Sequence, residues 1–295
     1  MIDSVAELPA CVDAMEACCG DDRLERLFAA HRHEIRLVSP EYMRPYIRAR
    51  INDDRDAERI AEAASRPINY FCKLKTQEQL DIQTLHRVRS RLVAERRSLM
   101  SQLRAILLER GTIFPVGRRK LELGIDATLA DEDTTLSACL RQLVGELRAE
   151  WREPRCEDWS SEQRVHRVGS QRCGCAPAHA HPGMGFLNAT ALVPTVDDTG
   201  SFAKARDLGA WLGLVPRQHT AGGKPRLLGI SKRGNTYFRT LLIHGDRAAL
   251  PSLLQSEPPL GCWSKGMIKR GVHRITIVVA LANKLARIVW LALRD

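Results

Sequence analysis

The stretch ACVDAMEACCGDDRLERLFAAHRHEIRLV, residues 10–38, decides the class of fold. Ala10 to Ala17 reads as a strand, Arg23 to Ala30 (RLERLFAA) as a short helix, and Glu34 to Val38 (EIRLV) as a second strand ended by Pro40. Strand, helix, strand is the rhythm of a parallel sheet with a crossover helix. A further helix, Asp54 to Ala64, is stopped at Pro67. The expectation is an α/β N-terminal region over residues 1–70.

Outward from there the pattern changes to helical. Leu85, Val88, Leu92, Leu99, Leu103 and Ile106 lie at spacings of 3, 4, 7, 4 and 3. That is a heptad seam on a helix from Thr76 to about Glu109, with arginines between the apolar positions. Leu136, Leu140, Leu143 and Leu147 mark another helix. The pair reads equally as an antiparallel hairpin, an intermolecular coiled coil or core helices of a bundle, over residues 71–152. Residues 153–180 hold no regular period and read as an irregular linker. Over residues 181–295 helices are expected at Phe186–Val193, Ala203–Leu212, Asn235 to about Leu250 and Ile275–Leu293, with a glycine-rich basic loop from Gln218 to Gly229. The C-terminal third is therefore expected to be all-α.

The chain has 295 residues, enough for about two domains. With 45 basic and 35 acidic side chains the net charge is +10. That balance favours polyanionic partners, nucleic acid above all. Asn283, Lys284 and Arg287 interrupt the most apolar segment, so no membrane span is expected. Without a basic, apolar leader after Met1, a cytoplasmic location is the default. Nine scattered cysteines read as reduced thiols.

Four groups of residues offer chemistry. Asp53 and Asp56 share a helix face, and with Glu16 at a strand end they make three carboxylates that could converge on Mg²⁺. By spacing alone, Asp residues at a helix start are more often caps, and a strand-end Glu is more often solvated. Pro182-Gly183-Met184-Gly185 enters a helix, either as a backbone phosphate cradle of helix-hairpin-helix type or as a tight turn. Arg217, Lys224, Arg226, Lys232, Arg233, Arg239 and Arg247 against Asp246 alone give a local charge of +6 between Arg217 and Arg247. Interleaved glycines suit such a stretch to phosphate contact. Cys173, Cys175, His179 and His181 are zinc-type ligands at an unusual spacing.

Several of these stretches come together in one resemblance. AMEACCGD, INDDRDAERIAEAASRP, PGMGFLNATALV and GLVPRQHTAGGKPRLLGISKRGN resemble the DEDD-type insertion-sequence transposases, over residues 5–150 and 181–293. The resemblance implies an RNase H-like N-terminal domain, a coiled coil and a helical C-terminal domain carrying a serine. It implies that Glu16, Asp53 and Asp56 bind Mg²⁺, that the serine attacks a DNA phosphate, that a bridge RNA pairs with the DNA, and that the protein works as a homo-oligomer. Gly183, Gly185, Arg217, Lys224, Arg226, Lys232 and Arg233 would contact nucleic acid. There are two departures. A first Asp and its strand need at least ~30 residues ahead of Glu16, and fifteen are present, so a truncated, incomplete RNase H-like domain is expected. At the serine position stands Ala221, with Thr220 beside it as the neighbouring hydroxyl. The reading is a transposase acting on DNA. The alternatives are a nucleic-acid-binding remnant or a coiled-coil assembly protein.

Overall fold

The computed structural model describes residues 5, 7–18, 20–43, 52–66, 71–131, 136–153, 181–196, 202–255 and 259–294. They fall into two compact units, residues 1–78 with 197–203, and residues 79–196 with 204–295.

In the first unit β1 (Val12–Glu16) and β2 (Glu34–Val38) pair in parallel, Val12 opposite Glu34 and Glu16 opposite Val38. Parallel strands cannot be joined by a tight turn. The crossover is α1 (Asp21–Ala30), entered through Gly20 at φ 92°. After α2 (Pro40–Met43) and α3 (Asp53–Ser65), the short β3 (Phe71–Cys72) adds antiparallel to β2, giving the order β1-β2-β3. Val38, Met43, Ala63 and Ala64 form the core, with Ala14, Ile60 and Phe71 against it. The two alanines let α3 lie close on the sheet. Arg36 on β2 donates to the Ala64 carbonyl at 3.2 Å and covers the Phe71 ring, joining sheet to helix end.

The second unit begins with the long α4 (Gln77–Leu108), followed by α5 (Arg118–Ala130) and α6 (Ala138–Arg152). From Leu99 onward the apolar seam is used within the chain. Leu99, Leu103 and Leu107 pack with Leu121 and Ile125 of α5 and with Val144 and Trp151 of α6. The sequence pattern places no helix at α5, so three helices share a core where two are expected. Leu143 is exposed, off the buried stripe. Arg148 crosses from α6 to α5, bonding Glu122 at 3.0 Å and Asp126 at 3.1 Å while stacking on Trp151. Its guanidinium holds both carboxyls below their usual range.

The rest of this unit comprises α7 (Phe186–Leu192), α8 (Ala205–Trp211), β4 (Pro216–Ala221), β5 (Lys224–Ile230), α9 (Thr236–Gln255), α10 (Pro259–Lys269) and α11 (Arg274–Ala292). Helices α8, α9 and α10 pack on α11, and α7 packs on α9. Among the described residues α11 is the one helix long and apolar enough to cross a membrane. Its apolar side, from Ile277 to Trp290, is buried in the protein. Two of the three polar residues expected to break a span have protein neighbours, Lys284 lying over the Trp263 ring and Asn283 against Gly209. The expectation of an all-α C-terminal third is corrected: the basic loop is an antiparallel hairpin. The linker residues 154–180 lie outside the described residues.

Candidate functional site

The hairpin is built by its turn. Gly222 and Gly223 have φ values of 56° and 74°, the pair of left-handed positions that a two-residue type I′ turn requires. Across that turn Ala221 pairs with Lys224, Thr220 with Pro225, His219 with Arg226 and Gln218 with Leu227. Nearly every residue of both strands is exposed. Such a ribbon has two free faces, and cross-strand partners share a face. One face carries His219, Ala221, Lys224 and Arg226. The other carries Gln218, Thr220, Pro225 and Leu227, with Gln218 donating to the Thr220 hydroxyl at 3.0 Å. The position expected to hold a serine is thus directly opposite a lysine on the cationic face, and Thr220 turns away from it.

The base of the ribbon is fixed by backbone bonds. Ser231 N donates to the Val215 carbonyl at 2.8 Å and Lys232 N to the Gly213 carbonyl at 3.1 Å. Arg239, counted above with the basic stretch, is buried and donates to the Leu212 and Arg233 carbonyls. It anchors the segment and is not a surface cation. Lys232 and Arg233 remain exposed beside it.

A cleft of about 870 Å³ in the same unit is lined by Arg89, Arg97, Gly183, Gly185, Asn188 and His244, among others. The glycines of the Pro-Gly-Met-Gly turn have a packing reason. A side chain at Gly183 would come within 2.5 Å of Asp246 Oδ1, and one at Gly245 within 2.1 Å of the Gly183 carbonyl. Asn188 Nδ2, on α7, donates to that carbonyl at 2.8 Å and ties the turn to the start of α7. Asp246 is fully buried, and among the described residues neither carboxylate oxygen has a hydrogen-bond partner. Burial pushes its carboxyl up to about 8, so at neutral pH it does not offset the basic residues as its sequence position suggests. Nearby, His86 bonds the Tyr237 hydroxyl at 2.9 Å and Thr190 Oγ1 at 3.1 Å. Burial and Arg89 lower its pKa to about 4, keeping it neutral.

In the first unit, Glu16 ends β1, and Asp53 and Asp56 lie in the first turn of α3, which packs on β1. The cap of α3 is Asn52, whose side chain accepts from Arg55 N at 3.1 Å, so neither Asp53 nor Asp56 is spent as the cap. Asp56 is ion-paired with Arg59. Oxygen donors suit magnesium; in this structure the three carboxylates are not gathered within 4.8 Å of one another. The group that does gather among the described residues is one that the sequence pattern does not reveal: Cys11, Asp13 and His33. Of the other zinc-type set, Cys173, Cys175 and His179 lie outside the described residues.

The family model for the transposase IS116/IS110/IS902 family matches residues 175–256. The "Probable family 20 transposase" of Pseudomonas aeruginosa is 38% identical over 291 residues, covering 98% of this chain and 85% of that protein. The transposase for insertion sequence element IS1111A of Coxiella burnetii is 38% identical over 98% of this chain and 79% of its own length. The chain belongs to the IS116/IS110/IS902 transposase family. The corresponding protein of element IS1328 of Yersinia enterocolitica is 35% identical over 97% of this chain. Both the cationic ribbon and the Pro-Gly-Met-Gly turn of this transposase family member fall inside the matched 175–256 span, and Glu16, Asp53 and Asp56 lie ahead of it.

Proposed function

We propose that this transposase family member serves DNA transposition by gripping DNA phosphates with one face of the β4-β5 ribbon. The observation that supports this most is the sorting of residues by register. Lys224 and Arg226, with His219, stand on the same face as position 221, and the apolar Leu227 stands on the other. A two-stranded ribbon fits the major groove of DNA, and cations on one face neutralise phosphates without reading sequence. Lys232 and Arg233 at the ribbon base extend the cationic surface.

On the family resemblance, position 221 would present the hydroxyl that attacks the phosphate. Alanine has no nucleophile, and Thr220 faces the wrong side to replace it, so this copy binds DNA without forming the covalent link. The resemblance also carries an RNase H-like first unit, a bridge RNA, a homo-oligomer, and magnesium-dependent cleavage through Glu16, Asp53 and Asp56. As those carboxylates stand, no cleavage step is assigned to them. Self-association through a coiled coil is less favoured, because the seam from Leu99 to Leu107 is covered within the chain.

The test is fluorescence anisotropy of duplex DNA across a salt series. Each lost phosphate contact removes roughly 0.9 from the slope of log affinity against log salt. The pair Lys224→Ala and Arg226→Ala together should lower that slope by about 2. Leu227→Ser on the opposite face should leave it unchanged. An unchanged slope in the double variant would refute the proposed face.

A further inference from the structure

The geometry points to a zinc site formed by Cys11, Asp13 and His33 in the first unit, separate from the family's acidic residues. Cys11 and Asp13 are two residues apart at the start of β1, and the parallel register brings His33, 22 residues from Cys11, beside them. Glu34 N donates to the Cys11 carbonyl at 2.9 Å, which brings the start of β1 beside the residue preceding β2. Cys11 Sγ is 3.3 Å from His33 Nδ1 and 3.7 Å from Asp13 Oδ1, and His33 Nδ1 is 3.6 Å from Asp13 Oδ2.

The two Asp13 distances are to different oxygens; with one oxygen as ligand, the three donor atoms lie within 4.8 Å of one another, so a small turn of the Asp13 carboxylate brings them to zinc-ligand spacing. Bond lengths of about 2.3 Å to sulfur, 2.0–2.1 Å to nitrogen and 2.0–2.2 Å to oxygen at tetrahedral angles give ligand-to-ligand edges of roughly 3.4–3.6 Å. The orienting contact is also present. His33 Nε2 lies 3.1 Å from the Val5 carbonyl, which can only accept, so Nε2 carries the proton and Nδ1 is the acceptor, taking a long bond from the Cys11 backbone N–H at 3.4 Å and facing the Cys11 thiol and Asp13. A metal-bound histidine is normally held by such a bond from its other nitrogen. The His33 side chain is fully buried, and Asp13 Oδ2 is buried with no hydrogen-bond partner among the described residues. Zinc would take Cys11 as the thiolate, the thiol proton passing to solvent on binding.

Asp13 and Glu16 are an odd number of residues apart on one strand, so they point to opposite sides of the sheet. The site is thus independent of the acidic residues, and it does not rest on the DNA-binding reading. Three protein ligands leave a fourth position for water or another ligand. The bound ion would pin the N-terminal ends of β1 and β2 together in a unit with a small core.

Cobalt titration of the full chain, reduced and stripped with chelator, tests the assignment. Wild type should develop a thiolate-to-cobalt charge-transfer band that zinc displaces, and zinc should raise its thermal midpoint. Cys11→Ser, at an exposed position, should lose band and shift while keeping the wild-type circular dichroism. Asp13→Asn should weaken zinc binding at least tenfold with the thiol intact. The paired Cys173→Ser and Cys175→Ser variant should keep the band. Absence of the band in wild type, or its full retention in Cys11→Ser, overturns the site.

Discussion

Replacing Asp246 by asparagine should change how the stability of this protein depends on pH. The carboxyl is fully buried against the Gly183 turn, and burial raises it from 3.8 to about 8. The unfolded chain releases this proton near 3.8, while the folded chain keeps it to about 8. Within that window the folded state binds the extra proton, so stability is highest below the unfolded pKa and falls as pH rises through the folded one. Each pH unit removes about 1.4 kcal/mol, and the window of roughly four units sets a ceiling of about 6 kcal/mol. The side-chain amide of the variant does not titrate. Urea unfolding of both proteins between about pH 5 and pH 8 should give profiles that diverge by about 1.4 kcal/mol per unit, the variant gaining on wild type as pH rises. The comparison uses slopes, so any fixed packing cost of the amide cancels. Parallel profiles would refute the claim that Asp246 is buried and protonated.

Other expectations follow from packing and register. Arg148→Ala removes the buried arginine of a four-residue network and leaves Glu122 and Asp126 only Arg152, at 3.4 and 2.8 Å, so it should cost about 1–3 kcal/mol in urea unfolding. Because Arg148 holds both carboxyls below their usual range, their contribution is present above the unfolded carboxylate pKa of about 4 and should fade as pH falls through the lowered values, which an acid titration by circular dichroism will follow. Leu103→Ala, at a fully buried position in the three-helix core, should cost about 2–5 kcal/mol by the same unfolding assay. Gly223→Val puts a β-branched residue at φ 74° and should weaken DNA binding while helix content stays at the wild-type level.

The β1-α1-β2 unit is legible in the sequence because its strands and crossover helix are short apolar runs with clean boundaries. The register shows the parallel pairing, and the differences are at element ends, β1 at Val12–Glu16 against an expected Ala10–Ala17 and α1 beginning at Asp21 against an expected Arg23. The ribbon reads as a loop for a physical reason. Both its faces are wet, so Arg217 to Leu228 carries no apolar-polar alternation, and Lys, Pro and Gly disfavour strands. One signal is available, since Gly222-Gly223 between two runs is a hairpin turn. Helix α5 escapes the pattern although Leu121 and Ile125 are one turn apart. Its Gly124, where an added Cβ would meet the Phe114 ring at 2.3 Å, looks like a breaker in sequence and is a close contact in space. For the site, Glu16, Asp53 and Asp56 lie on the expected elements, but element placement does not fix carboxylate convergence. Asp246 looks like an ordinary surface charge in sequence because burial is a tertiary property. Cys11, Asp13 and His33 cannot be grouped until strand register is known.

The sorting of the ribbon into a cationic face and a neutral face also limits how this segment can vary by descent. Adding or deleting one residue in β4 or β5 would exchange the faces, turning Lys224 and Arg226 away from position 221. Changes in strand length are therefore tolerated only in twos, or as a bulge like the one between Pro216 and Gln218. Point substitutions leave the register intact. Alanine and serine codons differ by a single base, so the hydroxyl that the proposed reading puts at 221 is one mutation away on a ribbon already in phase to present it.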